Sequence, residues 1–119
     1  MKTMTQSLEQ LLEVHVQAVL NGDMETLRQD YTEDSVFLTA NGSFKGQDAI
    51  IGEFKKLLAA FPNGLTINPI KQVVDGENVL LVWSGGSDTL DITFAVDTFV
   101  IRDGKIMMQT ATAQIVPKS

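Results

Sequence analysis

Asp97 is the residue best placed for chemistry, inside Phe94-Ala95-Val96-Asp97-Thr98-Phe99-Val100-Ile101, an otherwise uncharged run rich in β-branched and aromatic residues. Side chains alternate across a strand, so Asp97 shares a face with Ala95, Phe99 and Ile101. A carboxyl group in an apolar pocket is desolvated. That favours its neutral form, which can donate a hydrogen bond or shuttle a proton. An Asp turned outward, or bonded to backbone as a brace, would do neither. His15, the only histidine, falls on the apolar stripe of a helix. A neutral imidazole there can donate to a ligand oxygen or exchange a proton, or it can be a core histidine satisfied by a carbonyl. Gln109 alternates with Met107, Ala111, Ala113 and Ile115. An amide among apolar neighbours can orient a ligand, or it can belong to an edge or a dimer surface. Tyr31, Phe54, Trp83 and Phe99 are candidates to line a pocket, though aromatics also dominate ordinary cores.

Other chemistries are excluded or unsupported. The chain has no cysteine, so it has no disulfide, thiolate metal site or cysteine nucleophile. One histidine and no clustered carboxylate motif call for no metal, and no P-loop or dinucleotide fingerprint calls for a cofactor. The net charge is −6, with nine Lys and Arg scattered along the chain. Such a surface does not release counterions from nucleic acid, nor bind an anionic membrane. No apolar run approaches the ~18 residues of a membrane span. Residues 1–7 carry one Lys and no apolar core, so no signal peptide is expected and the cytoplasm is the expected location.

The elements that must position these residues follow from local signals. At 119 residues the chain suits a single domain, residues 1–119, with one core. Residues 5–21 predict an amphipathic helix, with Leu8, Leu11, Leu12, His15, Ala18 and Val19 at helical spacing, a Ser7/Gln10 capping box and an Asn21-Gly22 stop. Asp23 caps a short helix from Met24 to about Asp30. Ser35 to Thr39 and Ser43 to Lys45 flank the turn dipeptide Asn41-Gly42. Gly46-Gln47-Asp48 opens a third helix, with Ile50, Ile51, Phe54, Leu57, Leu58 and Phe61 as its buried stripe. The period then changes to two. Leu65 to Val74, Asn78 to Ser84, Asp91 to Ile101 and Lys105 to Val116 predict four strands separated by Asp75-Gly76, a Gly85-Gly86 loop and Asp103-Gly104. Helices first and strands after predict an α+β fold with helices on one face of the sheet.

This order resembles the NTF2-like superfamily, in particular its SnoaL-like and ketosteroid-isomerase-like members. The resemblance runs from about Leu8 to Ile115. It is carried by Ala18-Val19-Leu20-Asn21-Gly22-Asp23, Tyr31-Thr32-Glu33-Asp34-Ser35, Gly46-Gln47-Asp48-Ala49-Ile50 and Val96-Asp97-Thr98-Phe99-Val100-Ile101-Arg102-Asp103-Gly104-Lys105-Ile106. It implies a cone, with three N-terminal helices packed on a strongly bent antiparallel sheet whose concave face holds an apolar pocket. Members include isomerases, cyclases, dehydratases, epoxide hydrolases and non-catalytic association domains, because one fold hosts many functions. The aspartate matching Asp97 helps form the oxyanion hole in isomerase-like members and is the acid/base in cyclase-like ones. His15 falls where the isomerases keep an oxyanion-hole tyrosine. Thr39 matches the position of their general-base aspartate, and a threonine hydroxyl has no such basicity. Steroid-type isomerisation by that route is therefore not expected. Asp34 reads as a solvated or capping carboxylate. Arg28 and Arg102 give little support to the Asp-Arg-Asp arrangement of the epoxide hydrolases.

Two functional classes follow. One is a cofactor-free isomerase, cyclase or lyase acting on a small apolar carbonyl compound through Asp97 and His15. The other is a non-catalytic ligand-binding or association domain. In addition, Ile106, Met108, Thr110 and Thr112 are expected on the convex sheet face, with no helix to cover them, which predicts a homodimer packed sheet to sheet.

Overall fold

The computed structural model describes residues 7–118. Residues 5 and 6, the start of the first predicted helix, lie outside them. Helix α1 spans Leu8–Asn21. Ser7 Oγ accepts from the Gln10 amide, the Gln10 side chain accepts from the Ser7 amide, and Gly22 closes the helix in the left-handed region at φ 65°. Helix α2, Met24–Gln29, starts at Asp23, whose carboxylate accepts from the Thr26 amide. Strands β1 (Val36–Thr39) and β2 (Gly42–Lys45) form the predicted hairpin. Helix α3 spans Gln47–Leu58 and ends before Phe61, which follows in a turn bonded to Leu58. Then come β3 (Thr66–Asp75), β4 (Asn78–Gly86), β5 (Leu90–Arg102) and β6 (Lys105–Pro117).

The strands form one sheet in the order β2-β1-β6-β5-β4-β3. It is not wholly antiparallel, as the sequence led us to expect. β1 runs parallel to β6, with Phe37 beside Gln109 and Leu38 beside Thr110. Hairpin signals report only neighbouring strands, so a pairing between the early hairpin and the last strand leaves no local mark.

Leu11, Leu12, Ala18, Leu27, Ile50, Ile51 and Phe54 of the helices pack on Phe37, Val79, Leu81, Phe99, Ile101 and Ile106 of the sheet. Each such buried Leu, Ile, Val or Phe side chain contributes about 1.5–3 kcal/mol of burial. Ile106 belongs to this core, fully buried, and not to the outer face. A register shift between Val100 and Ile101 pairs Ile101 with Ile106 but Val100 with Met108, so the extra residue reverses the alternation. Gly85 and Gly86 are likewise strand residues at the end of β4, not loop residues. A Cβ at Gly85 would stand 2.0 Å from the Thr66 carbonyl oxygen of β3, and one at Gly86 would stand 2.6 Å from that of Leu90. Close backbone approach beside the Trp83/Gly85 bulge, not turn geometry, requires glycine there.

Candidate functional site

A cavity of about 400 Å³ lies between the sheet and the helices. Its wall is largely apolar, with polar groups entering from α1, β1, β4, β5 and β6. The β5 alternation that hides Ala95 and Phe99 turns Asp97 onto the same face. Asp97 pairs in register with Leu81 on one side and Ala111 on the other, and the small Ala111 leaves the floor open.

Asp97 is held by two donors. Trp83 Nε1–H donates to Oδ1 at 3.0 Å, and Gln109 Nε2–H donates to Oδ2 at 2.8 Å. Burial raises its pKa above the ordinary 3.8, against the lowering effect of these two bonds and of nearby His15. Behind Gln109 stands Tyr31, wholly buried, whose phenol donates to Gln109 Oε1 at 2.5 Å. Burial, and the charges of Asp30 and Asp97, keep that phenol protonated well beyond its usual range. A phenol that must donate dictates the amide orientation, so Gln109 is left with its NH₂ toward Asp97. Tyr31, Gln109, Asp97 and Trp83 therefore form one directed chain, anchored in the core and ending in the cavity.

His15 is held separately. Its ring is buried edge-on between Tyr31, Phe54 and Phe99, with centroid distances of 6.1, 6.0 and 5.8 Å. Its Nδ1 meets Asp30 Oδ2 at 3.1 Å. Asp30 is fixed from behind, because its carbonyl accepts from the Ile106 amide at 2.7 Å. A carboxylate accepts, so it selects the tautomer whose Nδ1–H donates to it, and in that tautomer the Nε2 lone pair is left free. Nε2 has no hydrogen-bond partner among the described residues, and the ring lines the cavity. His15 and Asp97 thus face one cavity without bonding to each other.

Of the remaining residues singled out from sequence, Thr39, Phe54, Trp83, Phe99 and Gln109 line the cavity, whereas Tyr31 stands behind its wall. Thr39 Oγ1 donates to Glu53 Oε2 at 2.7 Å. Asp34 is exposed, as its turn context implied. Asp30 and Glu53 escaped the sequence reading. Glu53 had a signal, being a carboxylate three residues after Ile50 on the apolar stripe of α3. Asp30, at the end of a short helix, looked like an ordinary terminal residue.

A family model described as a SnoaL-like domain matches residues 12–108. The chain belongs to the SnoaL-like domain family. That places it in the NTF2-like superfamily. Three solved structures similar to this SnoaL-like domain agree on its fold. One is a candidate polyketide cyclase from Sinorhizobium meliloti, 19% identical with a TM-score of 0.77, covering 90% of this chain and 99% of its own. Another is an NTF2-like protein of unknown function from Cytophaga hutchinsonii, 16% identical with a TM-score of 0.76, covering 96% and 95%. The third is a protein of ketosteroid isomerase-like fold from Catenulispora acidiphila in complex with trimethylamine, 14% identical with a TM-score of 0.72, covering 89% and 86%. No curated protein matches the chain. Among the described residues of this SnoaL-like domain, no helix is long and apolar enough to cross a membrane, and no three or more His, Cys, Asp or Glu side chains come together as a metal-binding group.

Proposed function

We propose that this SnoaL-like domain is a cofactor-free enzyme that moves a proton on a small, largely apolar carbonyl compound. The reading rests on two ionisable groups, independently held, that face one apolar cavity. His15, oriented by Asp30, would take a proton adjacent to the carbonyl at Nε2. Asp97, whose neutral form burial favours, would donate to the carbonyl oxygen as the enol develops. The second Gln109 amide hydrogen, not needed by Asp97, would add a donor for that oxygen. Collapse of the enol by protonation, ring closure or elimination would give an isomerase, cyclase or lyase respectively, all starting from the same step.

The test is hydrogen–deuterium exchange next to the carbonyl of a panel of enolisable ketones in D₂O, followed by NMR. Exchange above the buffer rate that falls on Asp97→Asn and on His15→Gln is expected. Undiminished exchange in Asp97→Asn would remove Asp97 from the mechanism. The absence of exchange across the panel would favour a binding domain.

We also propose that the domain pairs through its outer sheet face. Val73, Leu80, Thr98, Thr110 and Leu38 form a continuous row across five strands, since each is in register with the next. Val73, Leu80 and Leu38 are 44%, 37% and 41% exposed, a stripe of apolar surface that a second copy would cover.

A further inference from the structure

The proton-transfer reading leaves Glu53 without a task, yet its burial is difficult to explain by packing. It is 1% exposed on the core side of α3. Its Oε1 is the one buried side-chain polar atom among the described residues with no hydrogen-bond partner. Burying a carboxylate with one oxygen unmatched is destabilising, and a leucine would suit an apolar stripe better. The other oxygen is fully employed. Oε2 accepts from the Thr39 hydroxyl at 2.7 Å and from Asn41 Nδ2 at 3.0 Å. The Asn41 backbone amide in turn donates to Thr39 Oγ1 at 3.0 Å.

The consequence for Thr39 follows from its inventory. A hydroxyl has one proton and two lone pairs. The proton is committed to Glu53 and one lone pair to the Asn41 amide. What Thr39 can offer the cavity is a single lone pair, polarised by the bond that its hydroxyl donates on the far side. We infer that Glu53 is a positioning residue which locks Thr39 as a hydrogen-bond acceptor, so that the cavity selects ligands carrying a hydroxyl or amine donor at that end.

The sheet places this acceptor opposite the proposed proton-transfer end. Leu38 pairs with Thr110 on β6, so Thr39 comes one step further beside Ala111, whose other neighbour is Asp97 on β5. Two strand spacings, about 10 Å, separate the two backbones, with only an alanine between. A compact aromatic or alicyclic ketone would span them, with its carbonyl at Asp97 and its donor at Thr39. The inference rests on the proton-transfer reading for the carbonyl end alone.

The test compares 4-hydroxyacetophenone with 4-methoxyacetophenone, read by quenching of Trp83, the only tryptophan of the chain and a cavity residue. The phenol is expected to bind about tenfold more tightly than the ether, the worth of one good hydrogen bond. Thr39→Val, nearly isosteric, should reduce that ratio about tenfold. The methyl group's bulk is the same in both proteins, so the change reads the bond. Glu53→Leu should erase the preference by freeing the Thr39 proton, while Glu53→Gln, which retains an acceptor oxygen, should keep it. If Glu53→Leu does not fold, Thr39→Val and Glu53→Gln decide the matter. An equal affinity for both probes in the unmodified protein, a ratio unmoved by Thr39→Val, or failure of the phenol to bind would overturn the inference. Deuterium exchange of unsubstituted acetophenone separates the two proposals. Exchange without donor preference sinks only this one, and donor preference without exchange sinks only the proton-transfer reading.

Discussion

The bridge through Gln109 can be broken in a way that reports its energetics. In Gln109→Leu the Tyr31 phenol loses its acceptor while remaining wholly buried, which costs about 1–3 kcal/mol. Asp97 loses one of two donors, but it is half-buried and opens on the cavity, so water can replace part of that bond and we count it at about 1 kcal/mol. The sum, about 2–4 kcal/mol, is reduced a little by the apolar leucine. At this chain length it corresponds to a fall in Tm of about 8–16 °C. The decisive comparison is with Tyr31→Phe/Gln109→Leu. Removing both partners removes the unsatisfied phenol, so the double variant should recover about 1–3 kcal/mol relative to the sum of the single variants. Urea denaturation followed by Trp83 fluorescence measures all four proteins. The bridge argument is refuted if the two single changes add, or if Gln109→Leu costs less than about 0.5 kcal/mol.

Four further outcomes are expected. Burial raises the pKa of Asp97 above 3.8, so its neutral form persists to higher pH in the folded protein. Exchange that needs the neutral Asp97 acid together with a free His15 lone pair should decline on its alkaline side as pH rises through that raised value, and folding stability should fall over the same window, from 3.8 upward. A pH profile of Asp97→Asn without that decline completes the check. Asp30→Asn should slow exchange on the order of 10²-fold or more, because an amide can hold the His15 ring without stabilising its charged form. Thermal melts should show a contrast of glycines. Gly85→Ala drives a Cβ into the Thr66 carbonyl and costs about 3 kcal/mol or more, whereas Gly52→Ala, in open space inside α3, adds about 0.5–1 kcal/mol. Sedimentation at micromolar concentration should give a dimer that Leu80→Arg dissociates, and a monomeric unmodified protein would refute the pairing.

The element order was legible because each boundary had a nearby cause. Ser7 with Gln10, Gly22, Asn41-Gly42 and Asp103-Gly104 all act within a few residues. Asp97 and Gln109 were legible as one polar residue each on an otherwise apolar strand face. What escaped depends on distant parts of the chain or on miscounted residues. The parallel β1–β6 pair is one such case. The extra residue after Ile106 is another, because it reverses a face that strict alternation assigns the other way. The partners of the ionisable groups were hidden for a third reason. His15 finds Asp30 across two helices, and only the folded geometry tells that aspartate from the others in the turns around it.

The parallel pairing of β1 with β6 also has a temporal meaning. Val36 cannot find Met108, nor Asp30 the Ile106 amide, until the chain through residue 108 has left the ribosome. Gln109, the link between Tyr31 and Asp97, arrives on that same last strand. Closing so long a loop is entropically slow, and topologies of this kind fold late in synthesis. The nascent chain therefore carries its helices and first hairpin as an unfinished half, with β5 exposing a bare apolar edge. The final strand supplies at once the missing rung of the sheet and the amide that aims the carboxyl group, so a chain that has not finished folding has no assembled site.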